Sequence, residues 1–225
     1  MKDRYSLVVG LLFLVLVLVA GLHTLDGGGK EGTLGLDFEP ARWPLPEFAV
    51  PVAAGGLEGD ANVAQDDCES GALPCPADAR RDPACGIHVA ESIRVCDLFD
   101  RPLVISFWFT KSGDCAEQQD VVDAVYRRYR DRVNFLSIDI HDDRETVREL
   151  VRGNDWQMPV GYDHDGAVGA LYRVGGCPTF AYVYPGGTLE SAGIGDLRQE
   201  QLEARVRRLL QATARAERAA TGGGG

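Results

Sequence analysis

The chain has 225 residues, 45% of them hydrophobic and 25% charged, with a formal net charge of −11 at pH 7. Once an N-terminal apolar segment and a linker are set aside, that length holds one domain of ordinary size. The acidic balance argues against a nucleic-acid partner and against docking on an anionic membrane surface.

Residues 7–22 are almost entirely Leu, Val, Phe, Gly and Ala, with Lys2 and Arg4 before them and Asp26 after. The run is long for a signal-peptide core and near the lower limit of a membrane span. The basic flank places the N-terminus in the cytoplasm and the rest outside. Leu18-Val19-Ala20 is a poor cleavage site because Leu18 is bulky. An uncleaved single-pass anchor over residues 1–25 is therefore expected, with the domain outside the cell membrane. Gly27-Gly28-Gly29 opens a flexible tether over residues 26–44.

Residues 45–100 read as an N-terminal extension. Phe48 to Val52 suits a short strand, and Ile87 to Val95 suits short strands about a turn. Between them a long loop, rich in Gly, Asp, Ala and Pro, has no clear period and needs pinning. Six cysteines outside the cytoplasm suggest disulfides, and Cys68, Cys75, Cys85 and Cys96 are spaced wrongly for a zinc site. Six thiols allow fifteen pairings, which spacing alone does not resolve.

The core is expected over residues 101–216. Residues 103–109 form a continuous apolar run, as in a buried parallel strand, and residues 133–140 form a second. Val121, Val122, Val125 and Tyr129 share one helical face. Helices are expected near 144–151 and 167–172. Residues 179–184 and 189–194 read as a hairpin about Pro185-Gly186-Gly187. Leu202, Val206, Leu209 and Leu210 form the stripe of a last helix, and residues 217–225 read as a disordered tail. No internal repeat is visible.

Chemistry concentrates at Ser112-Gly113-Asp114-Cys115. A strand that delivers a thiol to the first turn of a helix favours the thiolate, through unpaired N–H groups and the helix dipole. Lys111 adds to that effect and Asp114 opposes it. Serine is a preferred N-cap, which explains Ser112 structurally. A second thiol, Cys177, sits directly before Pro178 in Gly175-Gly176-Cys177-Pro178-Thr179-Phe180. Trp108 and Trp156 read as core or site-wall aromatics. His141 and His164, set among aspartates, read as solvated loop residues rather than metal ligands, and His88 has no evident partner. There is no Gly-rich phosphate loop and no Ser-His-Asp pattern, so neither metal nor cofactor is expected.

Phe107-Trp108 with Cys115, Met158-Pro159-Val160 with Asp163-His164-Asp165-Gly166, and Val174 to Phe180 together resemble the thioredoxin-like redoxins. The likeness is to membrane-anchored thiol–disulfide oxidoreductases and to the alkyl hydroperoxide reductase/thiol-specific antioxidant family. It spans residues 45–210. It implies an α/β thioredoxin-like fold, a central mixed sheet flanked by helices, with 103–109 between the 133–140 and 179–184 strands. It implies a cis bond at Pro178, and substrate contacts from Trp108, Gly176, Pro178 and Thr179. The first cysteine of the family's C-x-x-C is Ser112 here, so that motif cannot close a disulfide. Family geometry sets the cis-proline loop opposite the helix start. The resemblance thus implies that Cys115 pairs with Cys177, with a Cα separation at or slightly beyond about 7 Å, leaving structural bridges among the other four.

Three readings follow. The first is a membrane-tethered thiol–disulfide oxidoreductase with Cys115, Cys177 and Ser112 at its site, acting on exported protein thiols or disulfides with a redox partner protein. The second is a peroxiredoxin-like peroxidase, since Ser112-x-x-Cys115 matches (Thr/Ser)-x-x-Cys. Trp108 stands where that family has proline, and Cys177 where it has arginine. The third is a redox-inactive binding module.

Overall fold

The computed structural model describes residues 44–57, 64–65, 84–111 and 115–222. Their strands are β1 (Phe48–Pro51), β2 (Ala64–Gln65), β3 (Ser92–Arg94), β4 (Leu103–Trp108), β5 (Asn134–Asp139), β6 (Val160–Tyr162), β7 (Thr179–Tyr184) and β8 (Thr188–Ile194). The helices are α1 (Gln118–Tyr129), α2 (Arg144–Gly153), α3 (Ala167–Leu171) and α4 (Gln199–Gly222).

The main sheet runs β6-β5-β4-β7-β8. β4 pairs parallel with β5 and antiparallel with β7, so Ile105 faces Leu136 on one side and Ala181 on the other. All six residues of β4 are buried, which is why its sequence is apolar without alternation. The pleat nevertheless separates two clusters. Val104 and Trp108 point to the layer of α1 and α4, with Val122, Val125, Leu202, Val206 and Leu209. Leu103, Ile105 and Phe107 point to the other layer, with Phe48, Val50, Val168 and Tyr172. This is the thioredoxin-like mixed sheet with helices.

The N-terminal extension forms a small sheet, β2-β1-β3, on that second layer. Val52 bridges Gly161, and Ala53 N–H donates to the Val160 carbonyl at 2.9 Å. A Cβ at Gly161 would lie 2.6 Å from Val50 Cγ2, so β1 approaches β6 at a distance only glycine permits. Local signals set the helix ends. Asp143 caps α2 by accepting from Thr146 N–H at 3.0 Å, and Gly166 enters α3 at φ +70°.

Two expectations need correction. Regular helix begins at Gln118, so Cys115 lies in the turn before α1 rather than in its first turn. The cap expected at Ser112 lies outside the described residues. At the other end α4 continues to Gly222, so residues 217–222 are helical and not tail. The stretch Ala212 to Ala220 is rich in alanine, the best helix former, and this carries the helix past its leucine stripe. Among the described residues no helix is long and apolar enough to cross a membrane. The apolar run 7–22, the tether before Pro44 and most of the long loop lie outside them.

Candidate active site

β4 ends at Trp108, and Phe109-Thr110-Lys111 lead toward Cys115. The opposite wall is the loop entering β7. Because β4 and β7 are neighbours, their two loops emerge at the same sheet end. The Cys177–Pro178 peptide is cis. Cys115 and Cys177 are joined by a disulfide with a Cα separation of 5.9 Å. That lies inside the geometric limit rather than at or beyond it.

The two sulfurs differ in environment. Cys115 is 3% exposed, within the apolar cluster that includes Trp108 and Trp156. Cys177 is only partly buried, and its Sγ lies 3.7 Å from the Phe109 carbonyl oxygen. Beside it Gly175 is exposed, with open space where a Cβ would stand. Thr179 is buried and its hydroxyl donates to the Gly176 carbonyl at 2.5 Å, which ties the loop to itself.

The side chains of Trp108, Pro178 and Thr179, from which substrate contacts are expected, are all buried. Trp108 is wholly enclosed. Its ring meets Trp156 edge-on at 5.5 Å, and its indole N–H donates to Ser137 Oγ at 2.7 Å. A satisfied buried indole is a wall, not a contact surface. Gly176 remains partly exposed, and Ser112 lies outside the described residues.

A neutral polar chain lies behind Cys115. The Ser137 hydroxyl accepts from Trp108 and donates to Gln119 Oε1 at 3.0 Å. Gln119 Nε2 reaches Ser106 Oγ at 3.2 Å and the Cys115 carbonyl at 3.3 Å. Gln118 and Leu197 exchange two hydrogen bonds, at 3.0 and 2.7 Å, which fix the start of α1 to the segment after β8. None of these residues stands out by chemistry in the sequence. The available signal was a lone serine in each of two apolar strand runs, and Ser106 and Ser137 are indeed register partners.

Carboxyl groups gather at the same end of the sheet. Asp142 accepts from Thr110 N–H at 2.5 Å and from the Thr110 hydroxyl at 2.6 Å, clamping the segment that leads to Cys115. Burial foremost, and then the adjacent Asp142, pushes the Asp139 carboxyl from 3.8 up to about 8, against the pull of N–H groups from Asp142 and His141. Burial likewise raises Asp163 to about 6, opposed by the N–H groups of Gly169 and Val168. His141 and His164 are exposed, but Asp139, Asp142 and Asp163 beside them are buried rather than solvated. His88 does have a neighbour, Arg94 Nη1 at 2.9 Å from its Nε2.

Away from the site, Cys85 and Cys96 form a second disulfide, while Cys68 and Cys75 lie outside the described residues. Glu47 lies near both sulfurs of that bridge. With the thiols committed to each other, the trio offers a cation one carboxylate.

The sheet order, its two layers and the loops at one sheet end define an α/β protein of thioredoxin-like fold. No family profile matches the chain. It is 25% identical over 113 residues to the thiol-disulfide oxidoreductase ResA of Oceanobacillus iheyensis, covering 50% of this chain and 59% of the relative. It is 24% identical over 120 residues to the ResA of Bacillus cereus, covering 53% and 69%. The chain thus spans 59% of the length of the first of these relatives. A Chlorobium tepidum protein named thiol:disulfide interchange protein DsbE shares the fold, with a TM-score of 0.54 over 77% of this chain and 97% of that one, at 12% identity. The chain has a thioredoxin-like fold and is similar to these thiol–disulfide oxidoreductases.

Proposed function

We propose that this chain is a membrane-tethered, extracytoplasmic thiol–disulfide oxidoreductase whose working pair is Cys115 and Cys177. Residues 1–25 anchor it, residues 26–44 tether it, and the redoxin domain acts on thiols or disulfides of exported proteins. A second redox protein returns it to its starting state. The observation that supports this reading is the pair itself: two cysteines from neighbouring loops, 5.9 Å apart at Cα, beside a cis-proline and with one of them reaching the surface. It supplies the second sulfur that Ser112 removes from the C-x-x-C position.

In each half-cycle two electrons and two protons move. A client dithiolate attacks the Cys115–Cys177 bond, one cysteine leaves as thiolate and takes a proton, and the client's second thiolate displaces the other cysteine. The client becomes a disulfide and the pair a dithiol; the reverse sequence reduces a client. A peroxidase needs a thiolate open to peroxide, and the burial of Cys115 speaks against that use.

The test is a glutathione redox titration of the full-length protein, read by mass mapping of the Cys115–Cys177 linkage, with insulin reduction as the activity assay. Exchange chemistry predicts reversible opening between about −120 and −300 mV. A bridge that stays closed below that range, with no insulin reduction, would make the pair structural and the protein a binding module.

A further inference from the structure

Resting on the exchange reading, we infer that the pair works with Cys177 as the sulfur that bonds to the client and Cys115 as the sulfur that resolves. The family order would give the first contact to the cysteine position occupied here by Ser112, on the loop before the helix. In this chain that contact has moved to the cis-proline loop.

Access separates the two sulfurs. Attack on a disulfide requires approach to one sulfur along the S–S axis, and the other sulfur departs. Cys115 is 3% exposed and is walled by the apolar cluster on the α1 and α4 layer. Cys177 is partly exposed on a loop whose neighbouring Gly175 faces open space. The border beyond it is apolar: Ile194 is 51% exposed, and its Cδ1 lies 2.8 Å from where a Gly176 Cβ would stand. An extended client segment therefore reaches Cys177 over a small, side-chain-free edge.

The surroundings of Cys115 suit the resolving role. The hydrogen-bonded groups behind it are neutral: Gln119, Ser106, Ser137 and the Trp108 indole. Through Gln119 they hold the Cys115 carbonyl in place. Burial keeps a reduced Cys115 slow toward outside reagents, because little of it can be approached. Toward a mixed disulfide on Cys177 the disadvantage vanishes, because the two residues are already held at disulfide distance. The sequence of bonds is then fixed. A client thiolate attacks Cys177 Sγ and Cys115 leaves and is protonated. The client's second thiolate then displaces Cys177. In the reducing direction Cys177 thiolate opens the client disulfide, and Cys115 thiolate displaces the client thiol as its own proton departs to solvent.

The experiment uses the full-length protein with glutathione disulfide as probe. Reduced Cys115→Ser protein should accumulate a glutathione adduct on Cys177, and reduced Cys177→Ser protein should form the adduct on Cys115 at least about tenfold more slowly. Should either variant fold poorly, reduced wild type answers the same question. Brief iodoacetamide treatment and peptide mapping should show Cys177 labelled about tenfold ahead of Cys115. Insulin reduction by the wild type, with Cys115 labelled first or equally, overturns the assignment and leaves exchange standing. A wild type that exchanges nothing overturns both.

Discussion

Asp139 makes stability depend on pH in a direction opposite to that of most carboxylates. It is fully buried at the end of β5; Oδ1 accepts from His141 N–H at 3.2 Å and Asp142 N–H at 2.9 Å, and Oδ2 has no partner among the described residues. A proton on Asp139 provides a donor toward the Asp142 carboxylate, which is engaged with Thr110. The carboxyl titrates near 3.8 when unfolded and at about 8 when folded. The folded state therefore holds a proton that the unfolded state loses above pH 4. The stabilisation is complete below that point and is lost as pH rises through about 8. At about 1.4 kcal/mol per pH unit, the four-unit interval corresponds to roughly 6 kcal/mol. Asp139→Asn preserves the shape, keeps an acceptor for the two N–H groups and does not titrate. In urea unfolding at pH 5, 7 and 9, the variant should gain on the wild type with each step, by several kcal/mol in total. Asp163, raised to about 6 by burial, titrates in both proteins and cancels from the difference. Parallel stability curves for the two proteins would refute the buried neutral carboxyl.

Two further perturbations probe the scaffold. Replacing Cys85 and Cys96 by serine opens a bridge spanning 11 positions, and loop entropy puts the loss at about 3 kcal/mol, read by urea unfolding without reductant. No shift in midpoint would mean the bridge constrains nothing. Gln119→Leu leaves the Ser106 and Ser137 hydroxyls short of a buried partner and should cost about 2 kcal/mol. Tryptophan fluorescence should shift as well, because Trp108 donates into the same chain. An unchanged spectrum and stability would show that the network is dispensable.

The apolar runs of β4 and β5 were legible because both strands are buried on two faces and need no alternation. The β7–β8 hairpin was legible from Pro185-Gly186-Gly187, where Gly186 and Gly187 adopt φ of +85° and +82°. The site was legible only in part. The two cysteines drew notice as residues, but their pairing depended on a resemblance, since nothing local links positions 62 apart. Trp108 was read from the residues as a core or site-wall aromatic, and a substrate contact was implied for it only by the resemblance. Its strand position, facing the α1 and α4 layer, made it core. The Ser106–Ser137–Gln119 chain was missed because each member is ordinary alone and only the β4–β5 register brings the serines together. His141 and His164 were read as solvated and are exposed, but the burial of the aspartates beside them was not read at all. The aspartates occur in hydrophilic stretches, yet Asp139 belongs to a strand and Asp142 turns inward onto Thr110.

Moving the second sulfur to the cis-proline loop changes what holds the pair together. In a C-x-x-C motif the two cysteines are kept close by one turn of backbone, whereas here 62 positions separate them. Reduction would let them drift apart if the disulfide were their main tie. It is not. The β4–β7 ladder, with Phe107 opposite Thr179, fixes the roots of both loops, and the reciprocal Gln118–Leu197 bonds fix the start of α1 against the segment after β8. Thr110 is held by Asp142, and Gln119 holds the Cys115 carbonyl. None of these contacts involves a sulfur atom, so none is broken when the disulfide opens. Under the proposed exchange chemistry the dithiol would therefore keep its two residues near bonding distance, and closure would compete with the client as an intramolecular step at high effective concentration. On the proposed exchange chemistry, a thioredoxin-like chain with Ser112 in place of the motif's first cysteine keeps a reversible pair because strand pairing rather than the helix turn does the holding.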